Sequence, residues 1–234
     1  MSIKIPTLEE MLEGGMHFGH PASKWHPKAN SYIYGVKNGI HIINLVKTQE
    51  ALKNILEKVS DTIAKGDEIL FVGTKKQAKD IIKNAAVRCN MPYVNERWLG
   101  GTFTNFGTLL KSIKKLNKLE LEKEKGEFVK YTKKEVIVLN RLIENLNKNL
   151  GGIKNIKKMP AMVFVVDLKY QDTTIKEARN RNIPIIGICD TNVDPNSVNY
   201  QIPANDDAIT SIDMIVNLIA DAVVEGKKKS EVKV

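Results

Sequence analysis

Three of the four histidines crowd into one stretch, Gly15-Met16-His17-Phe18-Gly19-His20-Pro21-Ala22-Ser23-Lys24-Trp25-His26-Pro27-Lys28. It interleaves aromatic rings, imidazoles and ammonium groups. His17, Phe18 and Trp25 could stack on bases or sugars while Lys24 and Lys28 meet phosphates. The alternative is a loop whose rings pack on the body. A catalytic dyad built on histidine would need a nucleophile and an orienting acid. No Gly-x-Ser-x-Gly elbow or comparable signature occurs.

A second such stretch is Asn95-Glu96-Arg97-Trp98-Leu99-Gly100-Gly101-Thr102-Phe103-Thr104-Asn105. Arg97 and Trp98 suit phosphate and stacking contacts, and the two glycines permit close backbone approach. A Trp–Arg pair in a loop also serves purely structural ends. Phe71-Val72-Gly73-Thr74-Lys75-Lys76-Gln77 resembles a phosphate loop, because a helix N-terminus favours anions. The full Gly-x-x-x-x-Gly-Lys-Ser/Thr pattern is absent, so Gly73 reads as a tight strand-to-helix turn. Lys75 stays among the phosphate-contact candidates, with Lys111, Lys114 and Lys115 further along.

Carboxylates gather at expected strand ends: Asp167, Asp190, Asp194, Asp206 and Asp207. In an open α/β sheet, ligands sit beyond the carboxyl ends of the strands. His20 with Asp190 and Asp207 would make an imidazole–carboxylate set suited to a divalent ion. Helix capping is the favoured reading for Asp206 and Asp207, which precede the last apolar-periodic segment.

The elements that must position these residues follow from hydrophobic period. Thr7-Leu8-Glu9-Glu10 is a capping box that opens a short helix, ended by Gly14-Gly15. Residues 32–34 and 41–43 look like strands joined at Lys37-Asn38-Gly39. A helix starting at Thr48 carries Leu52, Ile55, Leu56, Val59 and Ile63. Continuous apolar runs at residues 69–72, 162–166 and 185–188 suit strands buried on both faces. Weaker strands lie at 92–94 and 200–202, and Ile209, Ile212, Val216, Ile219 and Val223 line a final helix. Strands alternating with helices predict a three-layer, doubly wound, mostly parallel α/β sheet of flavodoxin or Rossmann type.

An insert interrupts that pattern. Phe106, Leu109, Ile113 and Leu116 step by three and four. After a second capping box, Thr132-Lys133-Lys134-Glu135, so do Val136, Leu139, Ile143, Leu146 and Leu150. This spacing predicts an antiparallel coiled-coil helical hairpin over residues 105–152. Residues 1–104 and 153–226 then form an RNA-binding body, and residues 227–234 a basic tail.

Charge follows the same division. The net charge is +9. Residues 105–160 hold 14 Lys and Arg against 6 Asp and Glu, a net of +8, and residues 227–234 hold +3, which leaves −2 for the rest. An excess confined to one insert and one tail suits a polyanionic partner, because each neutralised phosphate releases counterions. No apolar run reaches the roughly 18 residues of a membrane span. The first residues lack the apolar core of a signal peptide, so a soluble, intracellular chain is expected. Cys89 and Cys189 are expected to be buried, reduced thiols.

The motifs Gly15-Met16-His17-Phe18-Gly19-His20, His41-Ile42-Ile43-Asn44-Leu45, Phe71-Val72-Gly73-Thr74-Lys75 and Arg97-Trp98-Leu99-Gly100-Gly101 together resemble the bacterial-type ribosomal protein S-two family. So do Leu150-Gly151-Gly152-Ile153, Asp190-Thr191-Asn192 and Ile202-Pro203-Ala204-Asn205-Asp206-Asp207-Ala208-Ile209. The likeness runs in order from about residue 11 to 226. It implies a non-catalytic structural component of the small ribosomal subunit, with small-subunit rRNA and neighbouring ribosomal proteins as partners and no homo-oligomer. It implies docking of ribosomal protein S-one, the large mRNA-binding protein, where that protein exists. It requires no cofactor, but carries over a structural divalent ion, zinc or magnesium, at His20, Asp190 and Asp207. The stretch Asp167-Leu168-Lys169-Tyr170-Gln171-Asp172-Thr173-Thr174 departs from the family's Asp-x-x-x-Glu-His-Ile pattern. The rival from another class is a nucleotide- or metal-dependent enzyme on a doubly wound sheet, since fold does not fix function. A free RNA-binding regulator is a third reading.

Overall fold

The computed structural model describes residues 3–231. The last three residues of the basic tail lie outside them. Helix α1 (Leu8–Glu13) starts at the expected capping box, with Thr7 Oγ1 accepting from the Glu10 amide and Glu10 accepting from the Thr7 amide. A small antiparallel sheet follows, built from β1 (Phe18–Pro21), β2 (Ile33–Lys37) and β3 (Ile40–Ile43), in the order β1-β3-β2. The β2–β3 turn places Asn38 and Gly39 at φ 52° and 75°, the left-handed pair that a tight hairpin demands. The sequence showed β1 only as a loop. It pairs with β3 at Phe18 and Ile42 and carries His20 toward the body.

Helix α2 (Leu45–Ala64) begins three residues ahead of the expected Thr48, because the Asn44 side chain caps the Val46 amide. Then come β4 (Ile69–Val72), α3 (Lys79–Arg88) and β5 (Tyr93–Val94), the inserted helices α4 (Phe106–Glu124) and α5 (Lys133–Leu150), β6 (Met162–Val165), α6 (Asp172–Asn180), β7 (Ile185–Cys189), β8 (Tyr200–Pro203) and α7 (Ile209–Glu231). The five-stranded sheet is wholly parallel, ordered β5-β4-β6-β7-β8. This is the predicted doubly wound α/β architecture. The strand order reverses between β4 and β6, which places the crevice at their carboxyl ends.

Alternation along each strand divides two cores. Ile69, Phe71, Met162, Phe164, Ile186 and Ile202 face α2, α3 and α7, with Phe71 edge-on to Phe164 at 5.7 Å. Leu70, Val72, Val163, Val165 and Ile185 face α6, Trp98, Phe103 and the inserted helices. Both cysteines are free and buried, and burial pushes the Cys89 thiol up to about 11.

The apolar seam of the insert runs on into the core of the body. The expected seam residues Leu109, Ile113, Leu116, Ile143 and Leu150 are buried in the same cluster as the sheet face, and Phe106, Val136, Leu139 and Leu146 pack on it partly exposed. A pair closed tightly at Gly126 would set Glu120 opposite the first turns of α5. Instead Asn147 donates to Glu120 at 2.5 Å and Lys154 lies 3.8 Å from it. The linker between the helices tucks Phe128 into the cluster. The exit from α5 is tight: a Cβ on Gly152 would collide with the Tyr93 carbonyl oxygen, so only glycine fits there. Lys227 at the start of the basic tail lies on α7 and donates to the Cys89 and Asn90 carbonyls at 2.9 and 3.3 Å.

Candidate functional site

The carboxyl ends of the strands converge on one ammonium group. Lys75, after β4, lies 2.6 Å from Asp207, 3.1 Å from Asp206 and 3.5 Å from Asp167. It also donates to the Asp206 carbonyl at 2.9 Å. Asp167 follows β6 and sits at φ 65°, a left-handed conformation that aims its carboxylate back at the crevice. Burial alone would lower the Lys75 pKa, but Asp207, Asp206 and Asp167 together raise it. Burial, with Asp190 and Asp167 nearby, pushes the Asp206 carboxyl up to about 7 against the pull of Lys75. Asp207 is more exposed, and Lys75 holds it below the usual carboxylate range despite its partial burial.

His20 enters from β1. Its Nδ1 lies 3.1 Å from Asp190, and its Nε2 lies 3.6 Å from Asp207 and 2.9 Å from the Asn192 amide. The hydrogen bond that the His20 ring donates to Asp190 is the main cause that raises the His20 pKa, and burial opposes it. The approach depends on Gly19, where a Cβ would lie 2.6 Å from the Thr191 methyl. The His20 amide then donates to Thr191 Oγ1 at 2.8 Å. So the sequence set His20, Asp190 and Asp207 does assemble. The three offer ligand atoms within 4.8 Å of one another, and one nitrogen with two carboxylates suits a divalent ion. Lys75 already neutralises part of Asp207, so an ion would share that carboxylate.

Asp206 and Asp207 precede the positive end of α7, but among the described residues neither side chain accepts from an amide of its first turn. Asn205 closes the turn before the helix, accepting from the Asp207 and Ala208 amides at 2.8 and 3.3 Å. Asp194 lies apart, paired with Lys28 at 2.6 Å and closing its own turn on the Asn196 amide.

The candidate RNA contacts fall into two groups. Phe18 is 47% exposed and stacked on His17, with ring centroids 3.9 Å apart. Trp25 is 37% exposed and lies 5.2 Å from the His41 ring. Lys24, Lys28, Arg97, Lys111, Lys114 and Lys115 are exposed. Trp98 and Lys75 differ. Trp98 is buried edge-on to Phe103, and its indole N–H donates to Glu177 at 3.2 Å. It packs the loop's own interior and offers no stacking face. Lys75 is enclosed by acids and meets a phosphate only if those pairs break.

Sequence reasoning missed Glu177. Its carboxylate also accepts from the Gly101, Phe103 and Thr104 amides at 2.7, 2.9 and 3.1 Å. Burial would raise its pKa, but these donors lower it. The one available signal was a carboxylate beside the apolar residues Ile175 and Ala178 of α6.

With this geometry in place, comparison with known proteins decides the family. The family model described as "Ribosomal protein S2" matches residues 11–226. The chain belongs to the ribosomal protein S2 family. It is 46% identical over 224 residues to the "Small ribosomal subunit protein uS2" of Pseudoalteromonas atlantica, covering 96% of this chain and 92% of that one. The protein of the same name from Acidothermus cellulolyticus is 47% identical, over 95% of this chain and 81% of its own. The one from Chloroflexus aggregans is 42% identical, over 97% and 96%. The S2-family chain is thus a structural component of the small ribosomal subunit and not an enzyme. The crevice that holds ligands in doubly wound enzymes here carries lysine–aspartate pairs of its own. No helix among the described residues is long and apolar enough to cross a membrane.

Proposed function

We propose that this chain attaches to small-subunit rRNA through exposed cations on its insert and its N-terminal loop. The observation that carries this reading is the division of charge. Lys111, Lys114 and Lys115 point away from the buried seam of α4, while the cation at the crevice is neutralised internally. Lys24, Lys28 and Arg97 add phosphate contacts, and His17, Phe18 and Trp25 add rings for unstacked bases. The body, insert and basic tail would act as platform, reach and auxiliary anchor.

Filter binding of the purified chain to small-subunit rRNA at stepped salt tests this. A steep log–log decline is expected, on the order of −0.9 per phosphate neutralised on duplex RNA. Affinity independent of salt would reject it. Sedimentation with small subunits on a gradient would separate a resident component from a free regulator.

Two further roles belong to the same reading. A divalent ion would be held by His20, Asp190 and Asp207, tying β1 to the carboxyl edge of the sheet. Calorimetric titration with zinc should show one site that His20→Ala removes, and an unchanged isotherm in that variant would exclude it. Protein S-one would dock on the assembled protein where the organism has it. Pull-down from reconstituted subunits with and without this chain tests that.

A further inference from the structure

A second cleft opens on the other edge of the sheet, at the amino ends of β4 and β5. Its volume is about 810 Å³, within the range of small-ligand sites. Glu68 lines it from the strand side, α4 contributes Lys114 and Asn117, and the segment after α5 contributes Asn155 and Lys157. Its floor is apolar, with Met91, Ile113 and Ile156 all buried.

Two features of this lining stand unsatisfied. Glu68 is half-buried, and its Oε2 is closed off without a hydrogen-bond partner, so a donor in the cleft reaches it only once the carboxylate turns outward. An ionised carboxylate only accepts, so it calls for a donor. The lysines call for an anion. Lys154 is engaged by Glu120, while Lys114 and Lys157 are exposed and make no ion pair among the described residues.

We propose that this cleft takes one unstacked guanine nucleotide of the small-subunit RNA, with Glu68 reading the base and Lys114 and Lys157 meeting the flanking phosphates. The proposal rests on the rRNA-binding reading above and deepens it. Guanine presents two adjacent donors, N1–H and the N2 amino group, on its Watson–Crick edge. Uracil offers one donor between two acceptors, and adenine and cytosine offer one amino group each. Splayed bases are read on these edges in single-stranded RNA. The apolar floor takes the base face, and the amides of Asn117 and Asn155 stand at the rim. An acidic peptide would satisfy the lysines but not the carboxylate.

The test is fluorescence anisotropy of the full chain with two labelled RNA heptamers, one all uridine and one with a central guanosine. The guanosine heptamer should bind about tenfold tighter. Glu68→Gln, which keeps the side-chain shape, should abolish that preference and leave affinity for the uridine heptamer unchanged. Lys114→Ala with Lys157→Ala should weaken both, and should flatten the salt slope by roughly 1.4. Equal binding of the two heptamers by the native chain overturns the assignment, as does a preference that survives Glu68→Gln. In either case binding to intact rRNA would stand. A chain that binds no RNA at all removes the rRNA reading with it. Displacement of the guanosine heptamer by an acidic peptide of equal affinity would replace the nucleotide with a protein partner.

Discussion

Glu177 on α6 and Arg181 just past its end, one turn apart, grip opposite polarities of the same backbone loop. Glu177 accepts the amides of Gly101, Phe103 and Thr104, while Arg181 donates to the carbonyls of Phe103 and Thr104. The loop that leads from β5 to α4, with exposed Arg97 at its start, is therefore fixed by a helix that follows the insert in sequence.

That relationship predicts a large effect from a small change. Glu177→Gln should cost about 2 kcal/mol, because several amides then lose a charged acceptor in a buried setting. Urea unfolding measures it. A midpoint identical to the native one would show that the loop does not depend on the carboxylate.

The same group sets an acid limit. Its folded pKa is depressed, so its contribution is present above the ordinary glutamate value of about 4.3 and fades as pH falls through the folded value. Stability should drop below about pH 4, and less steeply in Glu177→Gln. Parallel curves for the two proteins would contradict the assignment.

Lys75 should be among the most sensitive positions in the crevice. Lys75→Met leaves Asp167, Asp206 and Asp207 facing one another without their shared cation, and about 3 kcal/mol of destabilisation is expected. Asp206→Asn should be milder, since burial pushes that carboxyl up to about 7 and the substitution removes only about half a charge at neutral pH. Thermal melts of both variants at pH 7 rank them, and the reverse order would refute this account.

The insert should unfold with the body. Leu116 is fully buried in a cluster shared with Leu70 and Val165, so Leu116→Ala should cost about 2–5 kcal/mol of global stability. Calorimetry should show one transition in native and variant chains. A separate low-temperature transition that alone shifts in the variant would mark the insert as an independent unit.

What the sequence determined by itself was everything with a short period. Both capping boxes, the Asn38-Gly39 turn, the buried strands and the three–four seam of the insert are encoded within a few residues, because backbone geometry repeats every two or 3.6 residues. The division of charge was equally plain, since counting needs no coordinates. Tertiary structure alone decided which distant groups meet. Lys75 and Asp206 lie 131 residues apart, and Trp98 and Glu177 lie 79 apart. Strand order brings each pair together, and alternating strands and helices do not state that order. Hence Lys75 and Trp98, candidates for RNA by residue type, are held inward by carboxylates whose partners no local pattern could name.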